Sequence, residues 1–142
     1  MVNKILPDTC AWIDFFRGRP SRLAERVEAA LVQGEVVTCG VVLFELLQGI
    51  KKPQEENLVL NAFQAVPQLE MTGVLWIKAG RLSSQLRKKG HTLPLSDIII
   101  ATLALEHSCS LLTVDRHFDV IPGLAVINCA DRMMFTERLA ED

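Results

Sequence analysis

The stretch Ile5–Leu6–Pro7–Asp8–Thr9–Cys10–Ala11–Trp12 decides how the rest of the chain is read. Its apolar opening is too short for a helix and runs straight into a carboxylate. A hydroxyl and a second apolar pattern (Ala11, Trp12, Ile13, Phe15, Phe16) follow at once. That is the signature of a buried strand handing over to a helix, with Asp8 at the strand's carboxyl end. In open parallel sheets, ligands bind outside that end of the strands. Asp8 fits a helix-capping acid equally well, so its meaning depends on what the rest of the chain brings to the same edge.

Working outward, 142 residues with 49% hydrophobic and 23% charged side chains suit one globular domain with a single core, spanning residues 1–142. A net charge of −2 gives no overall attraction to nucleic acid, so an anionic substrate needs a local basic rim or a bound cation. Four cysteines (Cys10, Cys39, Cys109, Cys129) stand far apart with no CxxC pair, which argues against a zinc ribbon and a disulfide framework. They read as small buried hydrophobes. The N-terminal segment is too short and too quickly acidic for a signal peptide, and no run approaches a membrane span. The expected location is the cytoplasm, with no membrane association.

Strand and helix signals alternate along the chain. Gly18–Arg19–Pro20 breaks the first helix, and Pro20 and Ser21 open a second with Leu23, Val27, Ala30 and Leu31 on one face, stopped by Gly34. Residues 35–39 read as a strand. Residues 41–50 are apolar nearly all round except Glu45 and Gln48, which predicts a helix inside the core. Residues 55–66 read as a helix and 68–71 as a short strand. Thr72 is placed to cap a long helix to about Gly90, with Leu75, Ala79, Leu82 and Leu86 as its buried stripe. Pro94 and Ser96 start an apolar helix over 97–106, with Ser96 as its cap. Strands at 110–114 and 124–128 and a closing helix at 131–139 complete the pattern. Alternation of this kind predicts an α/β fold with a central parallel sheet and right-handed crossovers.

Other acids fall at equivalent places. Glu45 interrupts an apolar helix, where a charge must be paired, ligate a metal or lie on a solvent stripe with Gln48 and Lys52. Asp97 opens the helix of Ile98, Ile99, Ile100 and Ala101, where the helix dipole favours an acid in any case. Asp115 ends the strand of Leu111–Leu112–Thr113–Val114, and Asp119 lies four residues on, where a turn acid is an equal reading. In a parallel sheet these distant acids converge on one edge. Carboxylates gathered there repel and raise one another's pKa, a conflict that a divalent cation resolves. All-oxygen ligands favour Mg²⁺ or Mn²⁺ over zinc, and there is no histidine or cysteine pair to suggest otherwise. Such a metal suits phosphodiester hydrolysis.

These segments resemble the PIN-domain ribonucleases, and most closely the VapC toxins of prokaryotic toxin–antitoxin pairs. The resemblance rests on Leu6–Pro7–Asp8–Thr9–Cys10–Ala11–Trp12–Ile13–Asp14–Phe15, Val42–Leu43–Phe44–Glu45–Leu46, Leu95–Ser96–Asp97–Ile98–Ile99–Ile100–Ala101 and Leu112–Thr113–Val114–Asp115–Arg116–His117–Phe118. It implies a three-layer α/β/α Rossmann-like fold and Mg²⁺-dependent cleavage of RNA. By that match Asp8, Glu45, Asp97 and Asp115 are the catalytic acids, with Asp8 and Asp97 as direct ligands and Glu45 and Asp115 completing the pocket. Asp119 assists, and Thr9 and Thr113 orient the acids. The resemblance also implies a homodimer and a VapB-like antitoxin whose C-terminal segment blocks the groove. Pro7 and Cys10 depart from the family pattern, which usually has a β-branched residue and Ser there; Asp14 stays outside the site.

For RNA phosphates the local cations are Arg87, Lys88, Lys89 and His91 ahead of Asp97, and Arg116 and His117 beside Asp115, with Arg17, Arg19 and Arg22 after the first helix. Solvated surface and helix capping account for any one of them equally well. Single-stranded or looped RNA, tRNA included, is the expected form, since duplex RNA hides its bases. Two rivals stand beside this reading. A phospho-acceptor receiver domain wants paired acids after the first strand and a late lysine, and has neither here. A non-catalytic module would keep the acids only to grip RNA or a partner.

Overall fold

A computed structural model describes residues 3–18 and 20–129; Arg19 and the helix expected at 131–139 lie outside the described residues. The opening run forms β1 (Ile5–Pro7), and Asp8 both ends it and caps α1 (Thr9–Arg17), accepting the Thr9 N–H. Then come α2 (Arg22–Val32), β2 (Thr38–Cys39), α3 (Gly40–Gln48), α4 (Pro53–Gln64), β3 (Gln68–Leu69) and α5 (Gly73–Lys88). Helix α6 (Leu95–Glu106), β4 (Ser110–Thr113), a 3₁₀ turn (Arg116–Val120) and β5 (Val126–Asn128) follow.

Every strand pairing is parallel: β4 lies between β1 and β5, and β2 pairs with β3. A parallel bridge between Ile5 and Val36 joins the two sets, so the strand order is β3-β2-β1-β4-β5. The junction is brief for a chemical reason. The Ile5 N–H donates to Glu35 and the Val37 N–H donates to Ile5. The next rung would need an N–H at position 7, and Pro7 has none. The strand expected over 35–39 is therefore split into the Val36 bridge and the two-residue β2.

Helices flank the sheet on both sides in three layers, α1 packing on α2 and α3, and α5 on α6. Trp12 anchors α1. Its ring is fully buried, stacked on Phe16 at 5.6 Å and 4.9 Å from Phe63 of α4. Burial of that size, with ring geometry contributing about 0.5–1.5 kcal/mol per pair, fixes α1 against the sheet and with it Asp8 at its start. The four thiols are free, with Cys39, Cys109 and Cys129 buried.

Two local expectations need correction. Helix α3 is not inside the core: Val42 and Leu46 are buried, but Phe44 is 62% exposed. An apolar composition does not say whether the second face meets the core or remains uncovered. Ser96 does not cap α6, which begins at Leu95 after Pro94 without a side-chain cap. Pro94 is held at φ −59°, its extended ψ turns the chain into the helix, and Ser96 falls inside the first turn.

Candidate active site

The strand order reverses between β1 and β4, and the carboxyl ends of those two strands carry Asp8 and, two residues past β4, Asp115. This is the switch-point crevice where open α/β sheets bind ligands. Helix α6 brings Asp97 to it from its first turn, and α3 brings Glu45.

Asp8 is buried at 8% exposure yet well provided with donors. Its Oδ1 accepts the Thr9 N–H at 2.8 Å and its Oδ2 accepts the Thr113 hydroxyl at 2.9 Å. The Thr113 oxygen in turn accepts the Asp115 N–H at 2.9 Å, so one hydroxyl ties the acid after β1 to the backbone after β4. Thr9 donates its hydroxyl to Glu45 Oε1 at 2.7 Å, tying α1 to α3. Both threonines therefore touch acids from different parts of the chain.

Burial pushes the Asp8 pKa above the usual carboxylate range, with Glu45 and Asp115 adding repulsion against the two hydrogen bonds. Asp97 is raised as well, first by burial and then by Asp8 and Asp115, with His117 opposing. Each of these carboxylates thus feels the others. Such a site favours binding something positive.

His117 is the residue whose place the sequence did not reveal. Its Nδ1 lies 3.4 Å from Asp97 Oδ2 and 3.2 Å from Asp115 Oδ1. One ligand atom from each of Asp97, Asp115 and His117 falls within 4.8 Å of the others. From the sequence His117 is one of several basic residues near an acid; only its position two residues after Asp115, on a tight turn, hints at more. Its backbone N–H also donates to Asp115 Oδ1, at 2.8 Å, and the turn is pinned by the fully buried Phe118.

The remaining candidates are spread more widely. Asp119 pairs with Arg116 at 3.2 Å on the exposed side of the 3₁₀ turn. Arg87, Lys88, Lys89 and His91 are all exposed at the end of α5 and in the link to α6. A cleft of about 720 Å³ lies beside the acids rather than on them, lined by Trp76, Ser83, Arg87, Lys88, Leu95 and Ile98 among others. Asp14 accepts the hydroxyl of Ser21, the cap of α2, and serves the fold. Cys10 Sγ sits 3.9 Å from Asp8 Oδ2, and burial raises its pKa, so it stands there as a thiol rather than a thiolate ligand.

The donor set suits a divalent cation that prefers oxygen, with one imidazole nitrogen in reach and no thiolate. A close group of carboxylates, with Asp8 and Asp97 raised by burial and by their neighbours, is what such an ion would relieve.

Comparison with known proteins agrees with this architecture. Residues 5–124 match the PIN domain. Ribonuclease VapC19 of Mycobacterium tuberculosis is 31% identical over 121 residues, 84% of this chain and 95% of that protein. Ribonuclease VapC11 of the same organism is 26% identical over 130 residues, 89% of this chain and 97% of that protein. Among solved structures, VapBC2 from Rickettsia felis bound to a promoter DNA fragment superposes with a TM-score of 0.75 at 22% identity, covering 90% of this chain and 98% of the other.

Proposed function

The chain belongs to the PIN domain family, and on that premise we propose that it is a metal-dependent endoribonuclease, the VapC-type toxin of a toxin–antitoxin pair. The observation that carries the reading is the meeting of Asp8, Asp97 and Asp115 at the switch-point crevice, with Glu45 held to Thr9 beside them. Relatives named VapC ribonuclease cover most of the chain and support it.

In this reading Asp8 and Asp97 hold a divalent cation, Mg²⁺ or Mn²⁺, with Asp115 and Glu45 completing the site. When bound, the cation polarises a phosphoryl oxygen and lowers the pKa of an attacking water. Thr113 and Thr9 keep Asp8 and Glu45 from turning away by their hydroxyl bonds. Asp119, tied to Arg116, supports the turn that carries Asp115. Arg87, Lys88, Lys89 and His91 at the end of α5, with Arg116 and His117 at the acids, give phosphates a positive rim. The cleft that joins Trp76, Arg87 and Lys88 to Ile98, next to Asp97, combines a stacking surface with cations, as single-stranded RNA requires.

The protein partners follow the same logic. A VapB-like antitoxin covering the crevice and a homodimer are consistent with exposed Phe44 on α3 and exposed Val74, Trp76, Ile77 and Leu95 on α5 and α6. Among the described residues no helix is long and apolar enough to cross a membrane, and the proposed site of action is the cytoplasm.

The test is incubation of purified protein with labelled single-stranded RNA, in Mg²⁺ or Mn²⁺ and in chelator. Cleavage that needs the cation, vanishes in Asp8→Asn and Asp97→Asn, and survives Asp14→Asn supports the nuclease. RNA bound but never cut with either ion favours a non-catalytic binding module instead.

A further inference from the structure

We propose that His117 is itself a ligand of the cation, through Nδ1, so that the centre is a mixed nitrogen and oxygen site that discriminates Mn²⁺ from Mg²⁺. The inference rests on the carboxylate metal site just described and goes beyond it, since that reading needs oxygen ligands only and places His117 in the basic rim, whereas a ligating imidazole is neutral and leaves that rim to Arg116 and the end of α5.

Two donors about 2.1 Å from one ion stand roughly 3.0 Å apart at a right angle and roughly 3.4 Å apart at a tetrahedral angle. The Nδ1 of His117 is 3.2 Å from Asp115 Oδ1 and 3.4 Å from Asp97 Oδ2, within that interval for both partners at once. Ion pairing alone would also draw a protonated imidazole toward these carboxylates, and direct nitrogen coordination of Mn²⁺ is what distinguishes a ligand from an ion pair. The backbone is held too: the His117 N–H donates to Asp115 Oδ1, and Phe118 beside it is fully buried. The side chain is 59% exposed, so it can swing to admit an ion or substrate without disturbing the core.

The consequence is selectivity. Mg²⁺ demands oxygen and gains little from imidazole, whereas affinity for nitrogen donors rises along the first-row series that begins with Mn²⁺. Removing the imidazole should therefore weaken Mn²⁺ much more than Mg²⁺.

The experiment uses the full chain, stripped of metal, titrated calorimetrically with Mn²⁺ and separately with Mg²⁺, for wild type, His117→Ala and Asp97→Asn. Spin-echo spectra of the Mn²⁺-loaded samples report directly bound nitrogen. The expected result is imidazole nitrogen modulation in wild type and none in His117→Ala. Mn²⁺ affinity should fall roughly tenfold or more in His117→Ala, while Mg²⁺ affinity changes by less than about threefold. Mn²⁺ bound in an Asp97-dependent way without nitrogen modulation overturns the role of His117 and leaves the carboxylate site intact. Binding that is absent, or indifferent to Asp97→Asn, overturns the carboxylate site and the inference with it.

Discussion

Replacing Asp8 by Asn should make the metal-free protein more stable while ending its activity. Asp8 is 8% exposed, and its two hydrogen bonds, from the Thr9 N–H and the Thr113 hydroxyl, do not offset the cost of burying its charge beside Glu45 and Asp115. The raised pKa reflects that balance: relative to the unfolded chain, folding disfavours the charged form of Asp8. A neutral isostere removes that cost, so Asp8→Asn should melt above wild type in chelator. Thr113 can turn to accept from the new amide, so the variant keeps its partners. Saturating cation should separate the two proteins. At a hundred times its dissociation constant a ligand stabilises by about 2.7 kcal/mol, roughly 8 °C for wild type, and this gain should be lost in Asp8→Asn. Thermal melts at neutral pH, with chelator and with Mg²⁺ or Mn²⁺, measure both effects. A variant that melts several degrees below wild type in chelator and still rises with cation refutes the reasoning.

Thr113→Val keeps the shape but removes the link from Asp8 to the Asp115 N–H; cleavage should fall roughly tenfold to a hundredfold, and Thr113→Ser should restore most of it. Trp12→Ala should cost about 3–5 kcal/mol in denaturant melts, because the ring is fully buried among Phe15, Phe16 and Phe63; a loss under about 1 kcal/mol would contradict the packing. Asp8 and Asp97 bind protons in the folded state before the unfolded chain does at its ordinary 3.8, so their contribution to stability is present at low pH and lost as pH rises through their raised values. In chelator, the double variant Asp8→Asn, Asp97→Asn should lack that part of the decline; parallel pH curves would count against it. Cys39, buried and pushed up to about 11, should resist thiol reagents at neutral pH until the protein unfolds, which mass spectrometry of labelled peptides reads directly.

Much of the acid edge was legible in the chain because strand ends and helix starts are written in short-range patterns. The run before Asp8 and the run before Asp115 are too brief for anything but strands, and parallel pairing then brings their ends together. The apolar composition of α3 predicts a core helix because it measures what a face can bury, not what stands opposite it; among the described residues Phe44 stays 62% exposed. The shortness of the β1 junction to Val36 depends on which way the missing N–H of Pro7 points, a matter of register that no local pattern carries. In sequence His117 is one more cation, because its aim between Asp97 and Asp115 arises only when α6 and the 3₁₀ turn meet in space.

As proposed, Asp8, Glu45, Asp97 and Asp115 would together hold a cation that supplies hydrolysis of an RNA phosphate by water. The chemistry of the cut ends tests it most directly. Mass spectrometry of the fragments from a short RNA, cut in Mg²⁺ or Mn²⁺, should show linear phosphate and hydroxyl ends, with cutting retained when the 2′-hydroxyl at the cleavage site is removed. Ends carrying a 2′,3′-cyclic phosphate would mean that the RNA's own hydroxyl attacks instead of water, and cleavage undiminished in Asp97→Asn would mean that these acids do not hold the catalytic ion.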